Sequence, residues 1–255
     1  STTDFLIIGG GIIGLSIARQ LQQKHNPCSI TIIEKEQNLG EHASGRNSGV
    51  LHSGVYYPAD SLKARFTKDG NKKWQSYCEE KNLFLDKCGK LIIATSENEL
   101  NGLDIIEGRA LENSVEIERL DPAQAAEIEP RAKTFQSALF VPSTATIDPK
   151  EINESMSADF KSNGGKILLG CKYFKKKKDN TIVTSSGNIS AGYIINCAGL
   201  YADRVAHDFN MGLDYTMLPF KGLYLYSSNV NVAPKVHIYP VPDLNNPFLG
   251  VHLTR

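Results

Sequence analysis

The chain of 255 residues predicts a mixed α/β (α+β) fold, in which a βαβ domain built from discontinuous segments carries an inserted antiparallel-sheet domain. Two observations predict the first domain. An apolar run, a glycine turn, a helical stretch and a second apolar run follow one another before residue 35, and apolar β-type runs return at 166–196 after a less regular middle. A third observation predicts the second domain: residues 218–254 alternate apolar and polar side chains between prolines, as antiparallel strands do.

Phe5 to Ile8 reads as the first strand, Ile12 to Gln23 as a helix and Ile30 to Ile33 as the second strand, after the Asn26-Pro27 break. Gly40 to Gly54 is rich in Gly, Ser and His and reads as a functional loop. Helical spacing covers Ser61 to Lys81 and Asn98 to Glu112, with a strand at Leu91 to Thr95 between them. Asp121 caps a short helix whose first residue is Pro122, and Asp148-Pro149 opens another that Gly164-Gly165 stops. Strands are expected at Lys166 to Leu169, Thr181 to Ser185 and Tyr193 to Asn196, and a helical stretch from Gly199 to about Asn210. The lysine run 175–178, ending in Asp179-Asn180, reads as a solvated hairpin tip. The expected domains are 1–90 with 148–215 and 91–147 with 216–255, the second incomplete on its C-terminal side.

Composition excludes several classes. Lys plus Arg and Asp plus Glu both number 28, so there is no overall attraction to nucleic acid. The five cysteines (28, 78, 88, 171, 197) form no C-x-x-C pair, which argues against a zinc site or a disulfide framework and suits a reducing compartment. No signal peptide and no membrane-length apolar run is visible. The expectation is a cytoplasmic protein, with peripheral contact at the inner membrane face left open.

The chemistry starts at Gly9-x-Gly11-x-x-Gly14, between a strand and a helix. Glycine permits the tight turn, the approach of backbone to a pyrophosphate and close strand–helix packing, while the helix N-terminus offers free N–H groups to phosphate. Glu34 ends the next strand 20 residues after Gly14, where a carboxylate can accept hydrogen bonds from ribose hydroxyls. A Rossmann-like dinucleotide site is therefore expected. Leu39 to Gly49 adds hydroxyls, an amide and a guanidinium suited to a phosphate and a polyol chain, and Asn196-Cys197-Ala198-Gly199 supplies a second close backbone turn. The glycine motif alone does not separate FAD from NAD.

The opening Asp4-Phe5-Leu6-Ile7-Ile8-Gly9-Gly10-Gly11-Ile12-Ile13-Gly14, with Glu34 and the 196–199 turn, resembles the D-amino-acid-oxidase-like flavoprotein superfamily. Gly45 to Tyr57, Ser61-Leu62-Lys63-Ala64, Pro219-Phe220-Lys221-Gly222 and His237 to Arg255 resemble its L-2-hydroxyglutarate dehydrogenase and oxidase branch. The branch usually has His where Arg46 stands, and its members continue well past the position of Arg255. The chain thus reads as the front part of such a protein.

The resemblance implies FAD as cofactor, held by Gly9, Gly11, Ile12, Ile13, Gly14, Glu34, Lys35, Ser44, Arg46, Asn47, Ser48, Gly49, Ala198 and Gly199. It implies oxidation of L-2-hydroxyglutarate to 2-oxoglutarate by hydride transfer from C2 to flavin N5. His52 is the candidate base, chosen over His252. Lys63, Tyr57, Tyr239, His252 and Arg255 are candidate partners for a dicarboxylate substrate, with Lys221 and Arg46 as further cations in family-like segments. Electrons would pass on to oxygen or a quinone. The competing readings are a relative acting on glycerol-3-phosphate or an amino acid, and a dinucleotide-binding module without redox activity.

Overall fold

A computed structural model describes residues 1–243 and 250–255, and the chain falls into two compact units. The first comprises Ser1–Asn47 and Pro149–Leu223, the second Ser48–Asp148 and Tyr224–Arg255. The boundary expected at residue 90 therefore differs from the structure, since residues 48–90 pack with the second unit. The reason is visible in the pairing described below: residues 50–51 and 85–86 bond to a strand at 145–147.

The chain opens as expected with β1 (Thr2–Ile8), α1 (Ile12–Lys24) and β2 (Ile30–Ile33). β2 and the second half of β1, Leu6 to Ile8, are apolar because they are buried on both faces, and β1 pairs in parallel with β2. The chain then enters the second unit through β3 (Val50–Leu51) and α2 (Leu62–Lys81). Ser61 caps α2 by accepting from the Ala64 N–H, and Asn82 ends it in the left-handed conformation at φ 53°. Next come β4 (Leu85–Asp86), β5 (Lys90–Ile93), α3 (Leu100–Glu112) and β6 (Glu118–Leu120). Helix α4 (Pro122–Ile128) carries the reciprocal cap of Asp121 and Gln124, and β7 (Ala138–Val141) and β8 (Ala145–Ile147) follow.

The chain returns to the first unit with α5 (Pro149–Ser162), β9 (Lys166–Leu168), β10 (Tyr173–Lys176), β11 (Thr181–Thr184), β12 (Gly187–Asn196) and α6 (Ala202–His207). Its sheet has the order β10-β11-β12-β1-β2-β9, parallel from β12 to β9 and antiparallel across β10, β11 and β12. The lysine run does lead to a hairpin tip, with Asp179 and Asn180 both at positive φ. Leu6, Ile8, Ile33, Ile182, Ile189 and Val205 form the core. Helices α1 and α5 are tied by the Arg19–Asp159 ion pair at 2.9 Å and by Gln22, whose amide donates to the Phe160 carbonyl.

One expectation fails. Residues 218–254 do not form an antiparallel sheet: the described part holds one strand, β13 (His237–Pro240), which pairs in parallel with β5. A lone antiparallel bridge joins Ile238 to Leu253. Residues 218–229 keep their alternation but are exposed, with no strand beside them among the described residues. Alternation prepares a chain for a sheet, and a neighbour is still required to satisfy its backbone. The second unit's larger sheet has the order β13-β5-β7-β6, and β3-β8-β4 forms a small one.

Candidate active site

In the first unit, the glycine turn closes against the 196–199 turn. Gly9 lies at φ +113°, and a Cβ there would come within 2.2 Å of the Cys197 carbonyl oxygen. A Cβ on Gly14 would lie 2.1 Å from the Gly9 carbonyl oxygen, so α1 can approach β1 only with glycine at that position. Gly11 provides no side-chain cap and α1 has no acidic residue in its first turn. The Ser44 hydroxyl alone accepts there, from the Ile12 N–H at 2.9 Å, while the Ile13 side chain is largely exposed. This end of α1 keeps its partial positive charge, as a pyrophosphate requires.

Glu34 is buried at the end of β2. One carboxylate oxygen accepts from the Gly10 N–H at 2.8 Å and the other from the Glu36 N–H at 3.0 Å. Each carboxylate oxygen has a further lone pair, so ribose hydroxyls can be accepted as well. Beyond it Lys35 pairs with Glu36, and His42 Nε2 lies 2.8 Å from Lys35 Nζ and 2.9 Å from Glu36. Hydrogen bonds from Lys35 and His42 hold the Glu36 carboxyl below its usual range. Lys35 also stands over the Tyr201 ring at 5.2 Å.

The remaining expected cofactor residues divide. Asn47 donates to the Ala43 and Ser44 carbonyls and so shapes the loop, whereas the Arg46 side chain is mostly exposed, 3.8 Å from Glu41. The Ala198 N–H is taken by Asn196 Oδ1, and Gly199 adopts φ +56°. Ser48 and Gly49 fall in the second unit, where the Gly49 carbonyl accepts from the Ile147 N–H. Burial pushes the Cys197 thiol up to about 11, which leaves it protonated and inert at neutral pH.

The second unit gathers His52, Tyr57, Lys63, Tyr239 and His252. The Tyr239 ring lies 6.0 Å edge-on from the His52 ring and stacks on His252 at 4.4 Å. Lys63 Nζ sits 4.4 Å over the Tyr57 ring. The His52 imidazole makes no hydrogen bond among the described residues. Burial, followed by the charge of Lys90 and of neighbouring His237, His252 and Lys63, pushes it down to about 3, so it is a neutral acceptor at physiological pH. His252 Nδ1 is 2.9 Å from the Gly250 carbonyl, which places the proton on Nδ1.

Arg255 differs from the expectation. Its guanidinium pairs with Asp86 at 2.7 Å and donates to the Lys235 carbonyl, so its charge is committed to the protein. Only its backbone N–H reaches the cluster, donating to His237 Nδ1. Lys221 lies in the first unit and is exposed. Pro247, Phe248 and Leu249, part of the family-like segment, fall outside the described residues.

Three residues of this cluster escape sequence reasoning. His237 is fully buried, with Nε2 3.0 Å from Thr146 Oγ1, and it is pushed down to about 4, mainly by burial. Lys90 is buried and Tyr56 half-buried, and the Lys90 Nζ and Tyr56 hydroxyl, both shut from solvent, find no hydrogen-bond partner among the described residues. The one available signal was a lysine opening the apolar run Leu91 to Ile93, which resembles an ordinary solvated strand end.

A glycine turn with no room for a side chain at Gly9 or Gly14, a helix end whose first N–H groups meet only the Ser44 hydroxyl, and a buried acid at the end of the next strand define a dinucleotide-binding fold. Residues 4–255 match the family described as FAD dependent oxidoreductase (DAO), and the chain belongs to it. Among curated proteins it is 36% identical over 257 residues to L-2-hydroxyglutarate dehydrogenase of Escherichia coli K12, covering 99% of this chain and 61% of that protein. It is 35% identical over 271 residues to the human mitochondrial L-2-hydroxyglutarate dehydrogenase, covering 100% of this chain and 58% of the relative. The chain therefore spans about three fifths of the length of these relatives.

Among solved structures, L-alpha-glycerophosphate oxidase from Mycoplasma pneumoniae with FAD bound superposes at TM-score 0.73 and 27% identity, over 81% of this chain and 56% of that one. Glycine oxidase from Geobacillus kaustophilus superposes at TM-score 0.75 over 82% of this chain and 58% of its own, and at 21% identity it shares the fold. No helix among the described residues is long and apolar enough to cross a membrane, and no cluster of His, Cys, Asp and Glu among them could hold a metal ion.

Proposed function

We propose that the protein to which this chain belongs oxidises L-2-hydroxyglutarate to 2-oxoglutarate with FAD. The observation that carries the reading is the neutral, unbonded His52 set among cationic and aromatic groups that suit a dicarboxylate. The dehydrogenase relatives at 35–38% identity, matched over 98–100% of the chain, support the choice of substrate.

In this reading the first unit holds FAD through Gly9, Gly11 to Gly14, Glu34, Lys35, Ser44, Asn47 and the Ala198-Gly199 turn. Arg46, Ser48 and Gly49 line the loop that follows. Bound FAD supplies a hydride acceptor at N5. His52 receives the hydroxyl proton as the hydride leaves C2, so the substrate loses one proton and one hydride, two hydrogens and two electrons in all, and becomes the 2-oxo acid. Lys63 and Tyr57 engage a substrate carboxylate, Tyr239 and His252 wall the site, and Arg255 acts through its Asp86 pair. Burial, aided by neighbouring cations, keeps His52 unprotonated until substrate arrives. The negative charge of the two substrate carboxylates then offsets those cations and raises its proton affinity at the moment of transfer.

An anaerobic absorbance titration of the full-length, FAD-loaded protein tests the reading. L-2-hydroxyglutarate is expected to bleach the flavin and yield 2-oxoglutarate, and D-2-hydroxyglutarate to leave it yellow. Bleaching by glycerol-3-phosphate or glycine with none by the L-isomer would replace the substrate assignment. Oxygen and a quinone are both compatible acceptors, and reoxidation rates with each would decide between them.

A further inference from the structure

Lys90 opens β5 and is 0% exposed, yet its Nζ has no hydrogen-bond partner among the described residues. Two phenol rings face it, Tyr56 at 4.3 Å and Tyr239 at 5.3 Å from the ring centroids. The Tyr56 hydroxyl is itself buried and unpartnered. The titratable groups facing it are His237, its register partner on β13, Tyr239 on the same strand, Tyr56 and His52; His252 stacks on Tyr239, and Lys63 stands over Tyr57. Asp86, in the same unit, is already paired with Arg255.

A buried ammonium without an anionic partner is costly, and the quadrupoles of two rings offset part of that cost. Proteins relieve the rest by deprotonation or by admitting an anion. Burial pushes Lys90 down to about 7, so neither state is strongly preferred at neutral pH. His52 and His237 are neutral beside it, which removes their competition for a proton.

We propose that Lys90 is the buried countercharge of the substrate site, taking up a proton when a dicarboxylate binds beside His52 and acting across the Tyr56 and Tyr239 rings. It is a positioning residue, because its Nζ is shut away from solvent behind those rings. The inference rests on the function proposed above. Its energetic content is a coupling between one proton and one anion, and such coupling is reciprocal: the dicarboxylate raises the proton affinity of Lys90, and the protonated lysine strengthens dicarboxylate binding.

Titration calorimetry of 2-oxoglutarate into the full-length, FAD-loaded protein at pH 8, in buffers of different ionisation enthalpy, counts the protons taken up. Wild type is expected to take up roughly 0.5–0.9 proton per ligand, since Lys90 is mostly neutral at that pH before binding. Lys90→Met is expected to abolish the uptake and weaken binding by roughly 10- to 100-fold. Lys90→Arg is expected to abolish uptake while holding affinity within a few fold, because the guanidinium is charged from the start. This second variant decides the matter if the first does not fold. Wild-type uptake near zero, or uptake undiminished in both variants, overturns the proposal. If 2-oxoglutarate fails to bind wild type but glycerol-3-phosphate or glycine binds with Lys90-dependent uptake, the substrate reading falls and the countercharge stands.

Discussion

Gly14→Ala puts one methyl group where the structure has no room for it. The new Cβ would lie 2.1 Å from the Gly9 carbonyl oxygen and 3.4 Å from Ile7 Cγ2. The first contact involves backbone on both sides, so relief requires α1 to move by about an ångström away from β1, as in other overpacked sites. Overpacking of this kind costs about 1–3 kcal/mol, occasionally more, against a helix-propensity gain of at most about 1 kcal/mol for replacing glycine. The net expectation is destabilisation of the first unit by about 1–2 kcal/mol, and misplacement of the helix end proposed to face the pyrophosphate. Gly108→Ala is the matched control, since Gly108 is exposed in α3 and a Cβ there meets nothing within 4 Å. That variant should gain about 0.5–1 kcal/mol. The assay is FAD content after purification, with affinity from fluorescence on readdition and thermal unfolding of the apoprotein. Gly14→Ala is expected to lose tenfold or more in FAD affinity and to unfold several degrees lower. Wild-type affinity and stability in Gly14→Ala would refute the close-packing argument.

Two further perturbations have definite outcomes. Glu34→Ala removes the acceptor for the Gly10 and Glu36 N–H groups and strands a buried donor, which costs about 1–3 kcal/mol; Glu34→Gln, able to accept only on one side, should lose less, and both should bind FAD more weakly in the same fluorescence assay. Stability should also depend on pH through His52 and His237. Their folded values, about 3 and about 4, lie below the unfolded one, so the unfolded chain binds more protons between there and about 6.5, and stability falls as pH drops through that window. Lys90 has the same sign between about 7 and 10.5, with stability rising as pH rises. Denaturant unfolding across pH should show His237→Gln flattening the acidic limb and Lys90→Met flattening the alkaline one; unchanged slopes in both variants would contradict the assignments.

The first unit was the more legible because its signals are local. A strand, three glycines, a helix and an acid 20 residues on must take one arrangement, and β1, α1 and β2 follow it to within a few residues. Caps behave similarly: Asp121, Pro122 and Gln124 specify the start of α4 within four residues. Short strands such as β3, β4 and β6, of two or three residues, carry no periodicity to read. Their existence depends on partners far away, as when Leu51 finds Ala145. The tail failed for the converse reason, having the alternation without a neighbour. Lys90 was the least legible residue of the site, because its burial depends on Tyr56 and Tyr239, the latter about 150 residues distant in the chain. Arg255 shows the same limit, since no pattern announces that its guanidinium is taken by Asp86.

His52 is the proposed acceptor of the substrate's hydroxyl proton. Rapid anaerobic mixing of L-2-hydroxyglutarate with the full-length, FAD-loaded protein measures the step in which the flavin is reduced, free of any acceptor. His52→Asn is expected to keep its FAD and bind 2-oxoglutarate within a few fold of wild type, while flavin reduction slows by roughly 10²- to 10⁴-fold. Reduction at the wild-type rate in a FAD-loaded His52→Asn protein would contradict that role.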